Sequence, residues 1–440
     1  MQTIYEKPSE QSLYIWNILG SMANALLSVV LLMLITRVLD DKQADIFSVA
    51  WTISQLMATV GMFQIRTYQA TDVGENFKFW QYLVFRILTI ILMMASSLVY
   101  VGVKGYSGYK SLIVLLVCLF KAVDAFADVY EGWFQQKERL DLSGKALTYR
   151  IIVATFGFGL TLLFTKDLIL PCVVLVLSYI FCFFIYDVRY CFAVNVWKKK
   201  EERTKGVRWI IRLTMESLPL FINAFFMMSI INAPKMAIDK AIEQGQMSQG
   251  LQTIFNILFM PASVLTLAYI VFRPMLTRMA IMWSNGNAKA FLAILAKIGI
   301  CLLGIGIVVL AGSAILGIPV LSLLYAVELS DYTAHLLVLV LGGFMYTFAS
   351  VLDNALVVIR RQHVLVIAYT LTWIYIKVIV GIMLEKWGFM GASLSYATAM
   401  GVFLLTVSVM FVICFRQACS ENVKSDKGES NEKIQQESSL

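Results

Sequence analysis

The chain reads as an all-α polytopic membrane protein of twelve transmembrane helices in two six-helix bundles. Three observations predict this. Hydrophobic residues make up 59% and charged residues 15% of the sequence, against roughly 45–50% and 25% in soluble domains. Twelve apolar runs are long enough to cross a bilayer, which takes roughly 20 residues each. Lys and Arg concentrate in alternate connecting segments, as in a chain woven through a membrane.

The first six spans are Leu13–Ile35, Ile46–Ile65, Phe79–Val103, Leu112–Phe134, Ala146–Phe164 and Leu168–Tyr186. After the basic stretch "WKKKEERTKGVR" (197–208) come Trp209–Ile231, Leu251–Phe272, Phe291–Leu316, Ala334–Ile359, Val364–Leu384 and Phe389–Phe415. Each is expected to be a helix, because a helix satisfies its own backbone in lipid. The alternating short strands of a barrel are absent from the pattern. The expected organisation is an N-terminal bundle (1–186), a basic cytoplasmic loop (187–208), a C-terminal bundle (209–415) and a disordered cytoplasmic tail (416–440). The tail is polar throughout, which motivates the last assignment.

With the N-terminus taken as cytoplasmic, the inner segments hold 22 Lys or Arg and the outer loops 8; six more lie inside spans. That bias places both termini and the 187–208 loop in the cytoplasm of a multi-pass plasma-membrane protein. The net charge of +8 is largely topology signal and calls for no nucleic-acid partner. The polar start and the length of the first apolar run argue against a cleavable signal peptide. Seven cysteines without a CxxC pair suggest neither disulfides nor a metal site, and nothing in the pattern calls for a cofactor.

The buried charges suggest a duplication. Lys78 is followed eight residues later by Arg86 in the third span, and Lys289 by Lys297 in the ninth. Arg66 ends the second span and Arg273 the eighth. Asp128 and Lys137 in and after the fourth span parallel Asp353 and Arg360 at the tenth. Arg37 and Asp40 after the first span parallel Lys235 and Asp239 after the seventh. Six spans per half make such a repeat parallel, a transporter architecture.

The fourth span carries the sharpest signal. Lys121, Asp124, Asp128, Glu131 and Gln135 fall at 0, +3, +7, +10 and +14, one stripe of a helix with 3.6 residues per turn. A charge facing mid-bilayer lipid costs roughly 2.5–3.5 kcal/mol even on the lenient insertion scale, so the stripe is expected to face protein or water. Asn17, Ser21, Asn24 and Ser28 form an uncharged stripe on the first span, and the seventh carries Glu216, Pro219 and Asn223. Plainer readings stand beside these. Lys121 and Asp124 could be a simple intrahelical pair, and Arg212 a snorkelling partner of Glu216. Arg66 could be a topology signal, and the Asn/Ser stripe helix–helix glue. Arg86, Arg150, Lys297 and Lys377 lie within spans with no acid one turn away on their own helix. Together with Lys121 they point to an anionic cargo, to a cation–carboxylate network, or to both.

The stretches "NILGSMANALLSVVLLMLITRVL" (17–39), "FSVAWTISQLMATVGMFQIRTYQATD" (47–72), "ESLPLFINAFFMMSIINAPKMAID" (216–239), "LFMPASVLTLAYIVFRPMLT" (258–277), "LGIPVLSLLYAVELSDY" (316–332) and "DNALVVIRRQ" (353–362) resemble the bacterial polysaccharide-repeat flippases. These belong to the multidrug/oligosaccharidyl-lipid/polysaccharide exporter superfamily. The resemblance spans nearly the whole chain except the tails, and its motifs are diffuse. It implies a twelve-helix flippase for undecaprenyl-diphosphate-linked oligosaccharides, turned to the outer leaflet for capsule, O-antigen or similar polymers. Implied partners are membrane lipids and the polymerase and glycosyltransferases of such a pathway.

Under that resemblance Arg86, Lys297, Arg150, Lys121, Arg66, Asn24 and Asn223 are the candidate cargo contacts. Asp124, Asp128 and Glu216 are the candidates for ion coupling. A multidrug exporter driven by proton or sodium antiport, and a lipid II flippase, are the alternatives. A membrane-embedded enzyme fits less well: no DxD, HExxH or GxSxG site occurs in a loop.

Overall fold

The computed structural model describes residues 8–72, 76–194, 206–268 and 273–437, most with side chains as far as Ser420. No strand occurs among them. Two compact units form: residues 1–257 with 322–328, and 258–321 with 329–440.

In the first unit, α1 (Glu10–Val38) begins where the Ser9 hydroxyl accepts from the Ser12 amide at 3.2 Å. It packs on α6 (Leu140–Thr165) through bare backbone. A Cβ on Gly144 would lie 2.1 Å from the Trp16 carbonyl oxygen, and one on Gly20 3.1 Å from Gly144 Cα. Such small-residue contacts let membrane helices approach closely. Asn17, Ser21 and Asn24 stay exposed beside this contact.

Helix α2 (Asp41–Met62) is capped by Asp40, which accepts from the Gln43 amide at 2.9 Å. It ends at Phe63 and Gln64, both left-handed, with φ of 45° and 53°. For residues with a Cβ this conformation costs roughly 1–2 kcal/mol each. The break redirects the chain into α3 (Ile65–Thr71), whose first turn carries Arg66. Two long helices follow, α4 (Phe79–Lys104) and α5 (Gly108–Gln136); the left-handed Gly105, φ 64°, makes the turn between them.

The sixth span outruns its expected end at Tyr186. Helix α7 (Ile169–Cys182) passes through a π-helical turn, Phe183–Val188, into α8 (Arg189–Ala193). Asp187 therefore lies in a helix rather than a loop, and residues 195–205 of the basic stretch lie outside the described residues. The seventh span is also longer than read. Helix α9 (Arg208–Glu243) continues past Ile231 and over Pro219 and Pro234. Lys235 and Asp239, expected in a loop, are buried in it. Asp239 can remain helical there because Lys110 of α5 reaches it at 2.5 Å and Glu243 at 2.8 Å, while the Tyr106 hydroxyl donates to it at 2.7 Å. Helix α10 (Leu251–Ala268) starts on Asp45, which accepts from the amides of Gly250 and Thr253 at 2.6 and 2.8 Å.

The second unit continues with α11 (Arg273–Ser284) and α12 (Ala288–Gly312). A π-helical turn, Ser313–Gly317, leads into α13 (Ile318–Tyr325), which from Ser322 onward belongs to the first unit. Then come α14 (Thr333–Val358) and α15 (Leu365–Glu437). The Arg273 side chain lies outside the described residues. Helix α15 is two arms joined at Gly388, whose φ of 55° and ψ of −135° are non-helical. The second arm folds back so closely that a Cβ on Gly391 would meet the Met383 carbonyl oxygen at 1.9 Å. Its backbone stays helical to Glu437, through the segment read as disordered. That segment has no Pro, and extending a helix already nucleated adds a hydrogen bond per residue fixed. With α12 and α13 as one span, α7 and α8 as one, and α15 as two, twelve long helices answer the twelve apolar runs.

Candidate functional site

The charged stripe of α5 sits inside the first unit and meets three arginines from three other helices. Arg66 of α3 donates from one terminal nitrogen to Asp128 at 3.1 Å and to Glu131 at 2.8 Å. Its Nε reaches the Gln135 side-chain oxygen at 3.4 Å, and its other terminal nitrogen the Ser143 hydroxyl at 3.3 Å. Arg86 of α4 donates to the second Asp128 oxygen and to the Gly61 carbonyl, both at 2.8 Å. Arg150 of α6 pairs with Glu131, with Asp187 at 3.0 Å, and lies 3.9 Å from Asp124. Lys121 completes the set at 3.4 Å from Asp124, its ammonium 5.1 Å from the centre of a Trp51 ring.

Four cations face four carboxylates. The balance explains how the fold tolerates them: a buried ion survives only when paired and hydrogen-bonded. Arg86 and Arg150 are fully buried, and the Glu131 and Asp187 side chains are at most 3% exposed. Exposure is confined to one rim, where the Arg66 side chain is 30% accessible, Asp128 14%, and Lys121 and Asp124 11% each. The left-handed break at Phe63–Gln64 is what presents Arg66 to that rim. Beside it Gln69 is fully buried, and neither atom of its amide finds a partner among the described residues.

Of the residues singled out from sequence, the structure brings Arg66, Arg86, Lys121, Asp124, Asp128 and Arg150 together. Arg66 is thus more than an end-of-span signal, and Arg86 pairs with a neighbouring helix. Glu216 stands apart from the network: it pairs with Arg212 at 2.8 Å and accepts from the Tyr68 hydroxyl. Asn24 is exposed on α1. Asn223 is half-buried on α9, its side-chain oxygen without a partner among the described residues. Lys297 belongs to the second unit. It is exposed on α12, and among the described residues no carboxylate pairs with it, so the matched positions Arg86 and Lys297 have opposite environments.

Three carboxylates are not among the candidate site residues: Glu131, which the sequence shows only as part of the α5 stripe and which pairs with Arg66 and Arg150, and two more. Asp187 was placed in a loop, although apolar residues resume at Tyr190, Cys191 and Phe192 and could have extended the span. Asp353 of α14 was noted only as the counterpart of Asp128. Its Oδ1 is buried with no hydrogen bond, and no described cation pairs with it.

No protein-family profile and no curated protein sequence matches the chain. Solved structures do, at the level of fold. An inward-facing multidrug-resistance MATE transporter of the MOP superfamily aligns with a TM-score of 0.65 and 13% identity, over 93% of this chain and 99% of the other. The lipid II flippase MurJ, in an inward closed conformation, aligns at 0.64 and 15%, over 92% and 91%. A MOP-superfamily transporter from Pyrococcus furiosus aligns at 0.60 and 12%, over 94% and 99%. The twelve-helix fold of this chain is therefore the fold of MOP-superfamily transporters.

Proposed function

We propose that this chain is a flippase that moves undecaprenyl-diphosphate-linked oligosaccharide repeat units from the cytoplasmic to the outer leaflet of a bacterial plasma membrane. It would work by alternating access between an N-terminal and a C-terminal bundle, with both termini cytoplasmic, in the assembly of a cell-surface polysaccharide. The carrying observation is the distribution of unpaired charge. The four carboxylates of the α5 network are balanced by four Arg or Lys, so that network carries no net negative charge to draw in an organic cation. Lys297 is exposed within a span and lacks a carboxylate among the described residues. A diphosphate can satisfy such an ammonium. The sequence resemblance and the likeness of fold to a lipid II flippase support the same reading.

In this reading the candidate contacts for the anionic diphosphate are Lys297 on the second unit and, taken separately, Arg66 and Lys121 at the rim of the first, while Asn24 and Asn223 are candidates for hydrogen bonds to sugar. Arg86 and Arg150 act from behind, because cargo could reach them only by displacing Asp128, Glu131 and Asp187. Asp124 and Asp128, at the exposed rim, are the proposed ion-coupling groups, and Glu216 a weaker one. A multidrug exporter is the second reading. Asp353, whose buried Oδ1 has no hydrogen-bond partner among the described residues, is the observation that favours it.

The test is polymer export in cells carrying Lys297→Ala, with membrane protein level monitored. Export should fall several-fold while the lipid-linked precursor accumulates inside. Normal export at a normal protein level would overturn the assignment. Drug sensitivity that responds to Asp353→Asn, with export untouched, would move the chain to the second reading.

A further inference from the structure

A groove of about 540 Å³ opens on the second unit between α12 and α14. Leu292, Leu295, Ala296, Gly299, Ile300 and Leu303 line it from α12, facing Phe348, Val351 and Leu352 of α14. No lining residue is polar. Its floor is low because two of the α12 positions are small: a Cβ on Gly299 would already touch the Phe348 ring at 3.4 Å. The α12 lining runs from Leu292 to Leu303, about 16 Å at 1.5 Å per residue. That is close to half of the roughly 30 Å hydrocarbon core, the depth of one leaflet.

The groove has a charged head. Lys289 is exposed in the first turn of α12, and Leu292, Ala296, Gly299 and Leu303 follow it at +3, +7, +10 and +14. The lysine and the lining therefore share one stripe of the helix. Lys297, at +8, lies on a different face, so this site is separate from the cargo contact proposed above. The positive end of the α12 dipole adds to the preference for an anion at the head.

We infer that this groove holds one acyl chain of an anionic phospholipid from the leaflet nearest Lys289, with the phosphate headgroup on Lys289. Length selects the occupant. An acyl chain is about one leaflet long, whereas a polyprenyl carrier is several times longer than the groove. Charge complementarity selects the anionic headgroup over a zwitterionic one. The inference stands whether or not the chain is a flippase.

The experiment is native mass spectrometry of the full-length protein in a neutral detergent, with added dioleoylphosphatidylglycerol or dioleoylphosphatidylcholine. The parent should retain one phosphatidylglycerol at collision energies that strip phosphatidylcholine. Lys289→Gln should reduce that retention about tenfold and leave phosphatidylcholine unchanged. Ala296→Trp, at an exposed position that fills the floor, should reduce both. Equal retention of the two lipids by the parent, or unchanged retention in both variants, would overturn the inference. So would displacement of phosphatidylglycerol by an equimolar amount of undecaprenyl phosphate, which would assign the groove to a carrier lipid.

Discussion

Asp128 of α5 and Asp353 of α14 are counterparts in the duplication expected from the sequence, and their surroundings differ. Asp128 sits between two arginines, each within 3.1 Å. Asp353 has a buried oxygen with no hydrogen-bond partner among the described residues, and no described cation pairs with it. The same holds for the cations: Arg86 is fully buried and paired, whereas Lys297 is exposed without a described carboxylate. One architecture thus handles membrane-embedded charge in two ways. In the first unit the charges of the α5 network are paired with one another and reach the surface only at the rim of Arg66, Lys121, Asp124 and Asp128. In the second, charge is left open, and an open charge in a membrane is by default a functional one.

The largest effect should come from Arg150→Gln, which leaves Glu131 and Asp187 buried without their shared counter-ion. Breaking a buried pair costs about 3–5 kcal/mol, so the variant should melt well below the parent in detergent and accumulate poorly in the membrane. Parental stability would end the view of the α5 network as a self-paired electrostatic core. Asp128→Asn comes next. It removes one charge but keeps an acceptor for Arg66 and Arg86, and hydrogen bonds to charged groups contribute about 1.5–3 kcal/mol. If Asp128 also couples transport to ions, the variant's transport should lose its pH dependence, read by assaying export across external pH. Asp353→Asn should leave the melting temperature unchanged or raise it, because a charge without a partner is removed, while transport falls. A loss of stability as large as that of Asp128→Asn would erase the distinction between the units. Tyr68→Phe should have the smallest effect, since Glu216 keeps Arg212; a small drop in melting temperature without a change in export is expected.

The twelve helices were legible because apolar length is written directly in the sequence, and so was the stripe on α5, because helical spacing is regular. The span ends were less legible. At Tyr186 and Ile231 the reading stopped where charges began, but those charges are matched by residues distant in the chain, Arg150 for Asp187 and Lys110 for Asp239. A sequence shows a charge and hides its partner. Arg66 illustrates the same limit: its role depends on the left-handed turn at Phe63–Gln64, two residues with no conventional turn signature. Which cations are free and which are occupied, as with Lys297 and Arg86, is a tertiary property and had no local trace.

The network also constrains how the protein is made. Helix α4, with a mean hydropathy of 2.1, can leave the translocon for lipid, since Arg86 is its one charge away from the helix ends. Helix α5 brings four ionisable groups in three turns, and on the insertion scale each charge near mid-helix costs roughly 2.5–3.5 kcal/mol. Two of its counter-ions, Arg66 and Arg86, are synthesised before it; Arg150 and Asp187 emerge only afterwards. Stable integration of α5 must therefore await α6, so that α4 to α6 partition as one cooperative parcel, and a chain halted once α5 has cleared the ribosome but α6 has not would hold a helix that belongs neither to water nor to lipid.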